Sequence, residues 1–408
     1  MTESANRFFF WIGIIILLIL LAGLVQAQLA IDNDALNYLG LHGSAKQAEE
    51  ISIGNQEALS SFGFASNSIN ISSEGSPMRE VSPPASPAQS DVGWITGFDA
   101  DGYGVILHTI DGGENWTRQG SPNTIPNVIL YDVRTIDAYN AWVVGDEDSN
   151  YAVILRTLDG GKTWARCGAP GQALDFGALG VGAVDSNIAW VVGSNGTISH
   201  TEDGGKTWTQ QASNTNASLM KVAAIDRYNA WIVGDHDNGY AIILRTSDGG
   251  LTWTRQGNAS TVKTTGLIDV TAADNRTAWA VGVNHTVLKT MDGGASWQTR
   301  MDGVASGIAH MNGACAIDKS NAWITQDYGR VYWTSDGDKT WNEQNPNGTG
   351  FWLMSVSART LKTAWVVGQL YGHSGIILHT TNRGVNWTEQ FAPVNVAFLR
   401  VSFVGTRS

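Results

Sequence analysis

TEDGGKTW, Thr201 to Trp208, decides the fold, because the same eight-residue logic returns from one end of the chain to the other. TIDGGENW begins at Thr109, TLDGGKTW at Thr157, TSDGGLTW at Thr246, TMDGGASW at Thr290, TSDGDKTW at Thr334 and TTNRGVNW at Thr380. Successive starts lie 44 to 48 residues apart, a period that belongs to repeat architectures. Each copy reads as a tight reversal. Apolar residues alternate on the way in, as at Val105 and Leu107, and Asp-Gly-Gly then turns the chain. The glycines accept positive φ, the aspartate bonds backbone amides further along, and the threonine hydroxyl adds a second local acceptor. The tryptophan that ends each copy folds back as an apolar plug, contributing about 4 to 6 kcal/mol gross when buried. Seven such rings at fixed spacing imply one shared core. The structural residues of the turns are therefore Asp111 and Trp116, Asp159 and Trp164, Asp203 and Trp208, Asp248 and Trp253, Asp292 and Trp297, Asp336 and Trp341, and Asn382 and Trp387.

A second motif precedes every turn: GWITG at Gly93, AWVVG at Ala141, AWVVG at Ala189, AWIVG at Ala230, AWAVG at Ala278, AWITQ at Ala322 and AWVVG at Ala364. The turns resemble the Asp-box, or bacterial neuraminidase repeat, Ser/Thr-x-Asp-x-Gly-x-x-Trp. Five copies match it in full. The sixth carries Asp338 where the others have the second glycine, and the seventh has Asn382 for the aspartate and Arg383 for the first glycine, which makes its turn the least secure. The combined unit is similar to the repeat of the photosystem II stability and assembly factors of plastids and cyanobacteria, over Asp91 to Ser408. That resemblance implies a scaffold that binds a client protein and assists its assembly. It does not place the client surface on particular residues.

With 43% hydrophobic residues, 47 glycines and 15% charged residues in 408, the composition suits many short strands joined by turns. A net charge of −12 argues against a nucleic-acid partner, which needs clustered Lys and Arg. Phe8 to Val25 is an uncharged apolar run after Arg7, long enough to span a bilayer. Val25-Gln26-Ala27 before Gln28 resembles a cleavage site, so residues 1–27 read as a membrane anchor or a signal peptide, and either exports the rest, anchored or secreted. Residues 28–90, with a short helix expected between Ala35 and Leu59 and a Ser, Asn, Pro and Gly-rich stretch after it, read as a linker.

From Asp91 on, each unit supplies about four strands, as at Leu219–Ile225, Ala230–Gly234, Ala241–Thr246 and Thr252–Gln256. Seven four-stranded sheets arranged radially make an all-β, seven-bladed propeller over residues 91–408. The first unit lacks its first strand, and LRVSFVG, Leu399 to Gly405, follows the last turn without a unit of its own. The carboxyl end is thus expected to complete the first blade. First strands rich in small residues, such as Gly177 to Ala183 and Gly313 to Ala316, are expected to line a narrow axis. Cys167 and Cys315 fall four blades apart and are not expected to bridge.

Four connections between second and third strands are long: FDADGYG, DEDSNYA, DHDNGYA and QLYGHSG. They gather Asp99, Asp101, Tyr103, Asp146, Glu147, Asp148, Tyr151, Asp235, His236, Asp237, Tyr240, Tyr371 and His373 on the rim opposite the turns. This is the candidate partner-binding rim. The Asp-x-Asp spacing also suits Ca²⁺, yet none continues into a complete calcium loop, and Asp, Asn and Gly are ordinary turn formers. No metal site or cofactor is assigned. The residue before each turn threonine, His108, Arg156, His200, Arg245, Lys289, Trp333 and His379, is basic or imidazole in six of seven copies. Such a ring reads either as a site for an anionic ligand or, preferred, as partners for the turn aspartates or cross-strand acids. A sialidase would need an arginine cluster, a tyrosine nucleophile and Arg-Ile-Pro, and no Arg-Ile-Pro occurs. No Walker loop, zinc-spaced set, nucleophile elbow or HExxH is present. The expectation is a non-enzymatic scaffold with a protein partner, the alternative a glycan-binding or glycan-cleaving propeller.

Overall fold

The computed structural model describes residues 91–405, apart from 121–123, 170, 173, 263–265, 302–308, 347, 349, 371–373 and 393–395. The expected leader and linker, and Tyr371 and His373, lie outside the described residues. The described chain is all-β: seven four-stranded antiparallel sheets. Innermost strands run Leu130–Thr135, Ala178–Ala183, Leu219–Ala224, Leu267–Ala272, Met311–Ala316, Phe351–Ala358 and Val396–Phe403. Each of these touches the next, and the last touches the first, so the seven sheets form a closed ring. This is the seven-bladed propeller that the repeat period implies.

The ring is closed by its own tail. Val396–Phe403 pairs antiparallel with Gly93–Asp99, as the innermost strand of blade 1. It begins three residues before the expected Leu399, because Leu399 bulges out of the ladder and lets Val396 to Phe398 pair with Asp99 to Gly97. The other six innermost strands bulge at the corresponding place, at Tyr131, Leu179, Met220, Ile268, Asn312 and Met354.

The core lies between blades rather than inside them. Trp142, Val144 and Ile154 of blade 2 pack against Val181, Ala183 and Trp208 of blade 3, and similar clusters recur around the ring. Each second-strand tryptophan, from Trp94 to Trp365, is almost wholly buried. Sheets that share such a core with both neighbours hide both faces, which is why the second strands read as unbroken apolar runs.

The two ends of the ring differ. First-to-second-strand turns and the Thr-x-Asp-Gly-Gly turns share one end, called the turn face below. The second-to-third-strand hairpins and the links between blades share the other, the rim. Two of the rim connections are not loops. His236 pairs with Ala241 and Asp237 with Tyr240, so the ladder runs on to a two-residue turn at Asn238-Gly239, both at positive φ. Blade 2 does the same at Ser149-Asn150. Both are tight primed turns, whose twist matches that of the flanking strands.

Candidate partner-binding surface

The turns come first, since they set the ring's outer frame. Thr201 Oγ1 donates to Asp203 Oδ1 (2.9 Å), the Gly205 amide donates to Thr201 Oγ1 (2.9 Å), and the Thr207 amide and hydroxyl donate to the two Asp203 oxygens (3.0 and 2.7 Å). These bonds, led by that of the Thr207 amide, hold the Asp203 carboxyl down at about 2. The first glycine of the turn donates to the carbonyl of Asn187 in the first-to-second-strand turn, which locks the two loops of the blade together. The seventh copy, least secure by sequence, forms the same turn: Asn382 Oδ1 accepts from Thr380 Oγ1 (3.0 Å) and from the Asn386 amide (2.9 Å). Its second side-chain atom is a donor, so it cannot accept the fourth bond.

The basic residue before each turn has a different role from the one preferred on sequence grounds. Each stands across the ladder from its own blade's second-strand tryptophan and lies on that ring. His108, His200 and His379 stack at 4.4, 4.4 and 4.6 Å, and Arg156, Arg245 and Lys289 sit 5.2, 5.1 and 4.3 Å from the ring centres. The cations then reach backbone carbonyls of the next blade, and Lys289 also meets an acid, Asp338. Arg156 donates to the Gly204 carbonyl (2.7 Å), Arg245 to that of Gly293 (2.8 Å) and Lys289 to that of Gly337 (3.0 Å). Where a histidine or Trp333 holds the position, a glutamine at the end of the outermost strand makes the same bond. Gln119 donates to Gly160 O, Gln211 to Gly249 O, Gln344 to Arg383 O and Gln390 to Gly112 O. All seven junctions are clasped, by two interchangeable devices. Burial lowers the pKa values of the histidines, that of His108 to about 4, and the three cations of the ring are engaged with the next blade.

The junction between blades 5 and 6 explains the anomalous Asp338. It occupies a positive-φ position (φ 79°), its amide donates to Thr334 Oγ1 (3.0 Å), and its carboxylate is buried. Lys289 Nζ (3.3 Å) and Arg300 Nε (3.2 Å), both from blade 5, neutralise it. Arg300 stands where Gln119, Gln211, Gln344 and Gln390 stand elsewhere, and in those junctions a Cβ on the second glycine would run into the glutamine carboxamide. One exchange of Gly and Gln for Asp and Arg thus conserves the contact.

The axis holds residues that the sequence reading passed over. Asp132, Lys221, Asp269 and Arg400 follow the bulge in blades 2, 4, 5 and 1, at one shared position, and all are buried. Lys221 Nζ donates to both Asp132 oxygens (2.8 Å each). Arg400 spans the centre, with Nε 3.1 Å from Asp132 Oδ1 and Nη1 2.8 Å from Asp269 Oδ2. The remaining lone pairs accept backbone amides of Val181 and Ala314. Burial, then the Arg400 charge, pulls the Lys221 ammonium below its ordinary value, and Asp132 and Asp269 oppose that. Gly180, Gly313 and Ser355 fill the same position in the other blades, so the small residues expected at the axis make room for a neutral quartet of charges. The signal was present as four ionisable residues at one offset in otherwise apolar strands.

The rim acids and tyrosines are largely spent within their own hairpins. Asp148 pairs with Arg166 (2.6 Å), whose guanidinium also donates to the Asp148 and Tyr151 carbonyls and covers the Tyr151 ring at 3.9 Å. Arg166 holds the Asp148 carboxyl below the usual range. Arg255 repeats this with Asp237 and Tyr240. Asp99 accepts the Asp101 and Tyr103 amides, and Asp146 and Asp235 accept the amides that follow them. His236 Nδ1 lies 2.8 Å from Asp235 Oδ1. Asp101, Glu147 and Tyr103 remain outward. Between the tall hairpins of blades 2 and 4, blade 3 has only the short turn Ser194–Gly196, and a polar cleft of about 760 Å³ opens there, lined by Asn195, Ser213, Thr215, Asn216, His236 and Asp237. Among the described residues no group of three or more His, Cys, Asp or Glu is placed to hold a metal ion. Cys167 and Cys315 are both free and buried.

A model of the photosynthesis system II assembly factor YCF48 family matches residues 123–211, 172–259 and 256–343, more than half of the chain. The chain belongs to that family. Among solved structures, YCF48 from Cyanidioschyzon merolae is 19% identical, with a TM-score of 0.54 over 74% of this chain and 98% of that one. A structure described as YCF48 bound to D1 peptide is 20% identical, with a TM-score of 0.50 over 64% and 80%. A GH74 xyloglucanase from Xanthomonas campestris shares the fold at 12% identity, with a TM-score of 0.51 over 78% and 56%. No curated protein sequence matches the chain.

Proposed function

We propose that this member of the family is a non-catalytic propeller that binds a partner protein and assists its assembly or stability, its client an extended segment of a photosystem II subunit of the D1 kind. Family membership carries the proposal, since a relative of the same name has been solved with a D1 peptide. The commitments of the carboxylates support it. Glycoside hydrolysis needs two carboxyl groups facing across a cleft, about 5 to 9.5 Å apart and free to take up or give up a proton. Here the turn aspartates are bonded into their loops, the axial pair is neutralised by Lys221 and Arg400, and Asp148 and Asp237 are held by Arg166 and Arg255. The rigid frame leaves the faces, not the axis, for a partner.

The apolar run Phe8 to Val25 is proposed to carry the propeller out of the cytoplasm and to keep it tethered there. The test is titration of a fluorescently labelled D1 peptide with the purified full chain, run beside xyloglucan and a fluorogenic sialoside. Saturable binding that unlabelled peptide competes is expected. Absence of peptide binding, together with sugar turnover that a single carboxylate substitution abolishes, would replace this reading with the glycosidase one.

A further inference from the structure

Exposed apolar and cationic side chains are gathered on the turn face. Among the described residues ten large hydrophobics are exposed, and seven of them, Ile110, Tyr139, Leu158, Tyr228, Leu251, Met291 and Val385, belong to its loops. Leu251 is 87% exposed and Val385 77%, values that serve no packing purpose in the ring. Every exposed lysine among the described residues, Lys162, Lys206, Lys319, Lys339 and Lys362, lies on the same face, joined there by the exposed Arg227, Arg276 and Arg383. The carboxylates of this face mostly point inward: those of Asp203 and Asp336 are tied to amides and hydroxyls of their own turns, and those of Asp137 and Asp226 to the turns they open. The aliphatic side chains and lysines extend outward, together with the exposed Glu114 and with Glu202, which pairs with Arg227 (3.3 Å).

The chain also enters here. The Asp91 carbonyl accepts the Gly112 amide, taking the place that a first-to-second-strand turn holds in the other blades, and Asp91 pairs with Arg359 of blade 7 (3.0 Å). Asp91, the first described residue, thus lies on the turn face. We propose that this face lies against the surface of the bilayer that the apolar run Phe8 to Val25 enters, its aliphatic side chains at the headgroup boundary and its lysines reaching lipid phosphates. This rests on the tether proposed above. Scattered aliphatics with Tyr and Lys around them are the chemistry of an interfacial surface, and the face so used leaves the rim directed outward for a protein client.

The test reconstitutes the full chain into vesicles of phosphatidylcholine and phosphatidylglycerol, with an environment-sensitive fluorophore on single cysteines replacing Leu158, Leu251, Asp101 or Glu147. All four are exposed, whereas Cys167 and Cys315 are buried. Labels at 158 and 251 are expected to shift blue, brighten about twofold and be quenched by lipid-borne nitroxides, with labels at 101 and 147 unchanged. Equal responses on both faces, in a chain that resists alkaline carbonate extraction, would overturn the placement and leave the tether standing. Release by carbonate would remove the tether and the placement with it. Shielding of 158 and 251 without lipid quenching would assign the face to a protein surface and also overturn the proposal.

Discussion

The perimeter and the axis of this ring solve the same problem in opposite ways. At the perimeter one set of bonds is repeated: a threonine and an aspartate fold each turn, and a glutamine, arginine or lysine clasps it to the blade before. Each clasp is replaceable, because seven of them share the load. At the axis amide bonds from one inner strand to the next recur, as Val181 to Asp132 and Ala314 to Asp269, but the charges do not repeat. Arg400, Asp132, Lys221 and Asp269 occupy one position of the cassette, yet each has its own partners, and Arg400 links the closing strand across the centre to blade 5 as well as to blade 2, where Ser402 also bonds Thr135. Repetition gives the ring its shape, and a unique quartet gives its seam one register. The same contrast separates what a substitution costs at each place.

The largest effect is expected at the seam. Arg400→Ala leaves Asp132 and Asp269 short of a counter-charge in a dry site, a loss of about 3 to 5 kcal/mol. Chemical denaturation would measure it. Arg400→Lys keeps the charge but cannot fork across two carboxylates, so its loss should be smaller. If Arg400→Ala costs no more than a surface substitution, the axis is merely another packed layer.

Acid tests the stacked histidines. Their pKa values are lowered by burial, so the unfolded chain takes up protons first, and the stability present above about pH 6.5 is lost as pH falls below it, for His108 down to about 4. The expected loss by pH 5 is about 2 kcal/mol for His108, and His200 and His379 add losses of the same sign. Thermal melts from pH 7 to 4 should show the slope, and the triple exchange of His108, His200 and His379 to Gln should flatten it. The turn aspartates titrate lower, Asp203, Asp292 and Asp336 at about 2, and so contribute below that window.

The anomalous junction comes next. Asp338→Gly strands Lys289 and Arg300 and should cost about 2 kcal/mol, and Arg300→Gln in the same chain should recover most of it. Additive losses in that double-mutant cycle would mean that the two exchanges are unrelated. Among the ordinary junctions, Gln119→Ala removes an acceptor shared by Trp94 and Trp164 as well as the bond to Gly160, and should cost about 1 to 2 kcal/mol. The Gln256 carboxamide donates to the nearby Thr254 carbonyl instead of to the next blade, and its loss should stay below about 0.5 kcal/mol. The smallest change is a gain. Asn382→Asp completes the seventh turn and should add about 0.5 kcal/mol by urea denaturation.

The perimeter was legible in the sequence because its signals are local and repeated. Asp203 and Thr207 are four residues apart, and any one copy of the turn teaches the other six. The tail was legible by arithmetic, since a unit without a first strand and a strand without a unit complete each other. The role of Arg156 was not, because its partner is the carbonyl of Gly204 in the next cassette, a backbone group that composition does not mark. The axial quartet was hidden more deeply. Asp132 and Arg400 are far apart in sequence and meet only when the circle is closed, so no window on the chain contains both. At the rim, Asn238-Gly239 announced a tight hairpin, and reading that stretch as a long connection overlooked the pairing of Asp237 with Tyr240. The acids and tyrosines grouped there look like a binding set until Arg166 and Arg255 are placed over them.

Hydrogen exchange of the amides in Val396–Phe403 tests the seam most directly. If the tail is the innermost strand of blade 1, held by Arg400 to the centre, these amides should exchange as slowly as those of Gly93–Asp99 and be released together with them in Arg400→Ala. Fast exchange at the tail in a chain whose other blades stay protected would show that the ring stands without it, and the account of closure would be wrong.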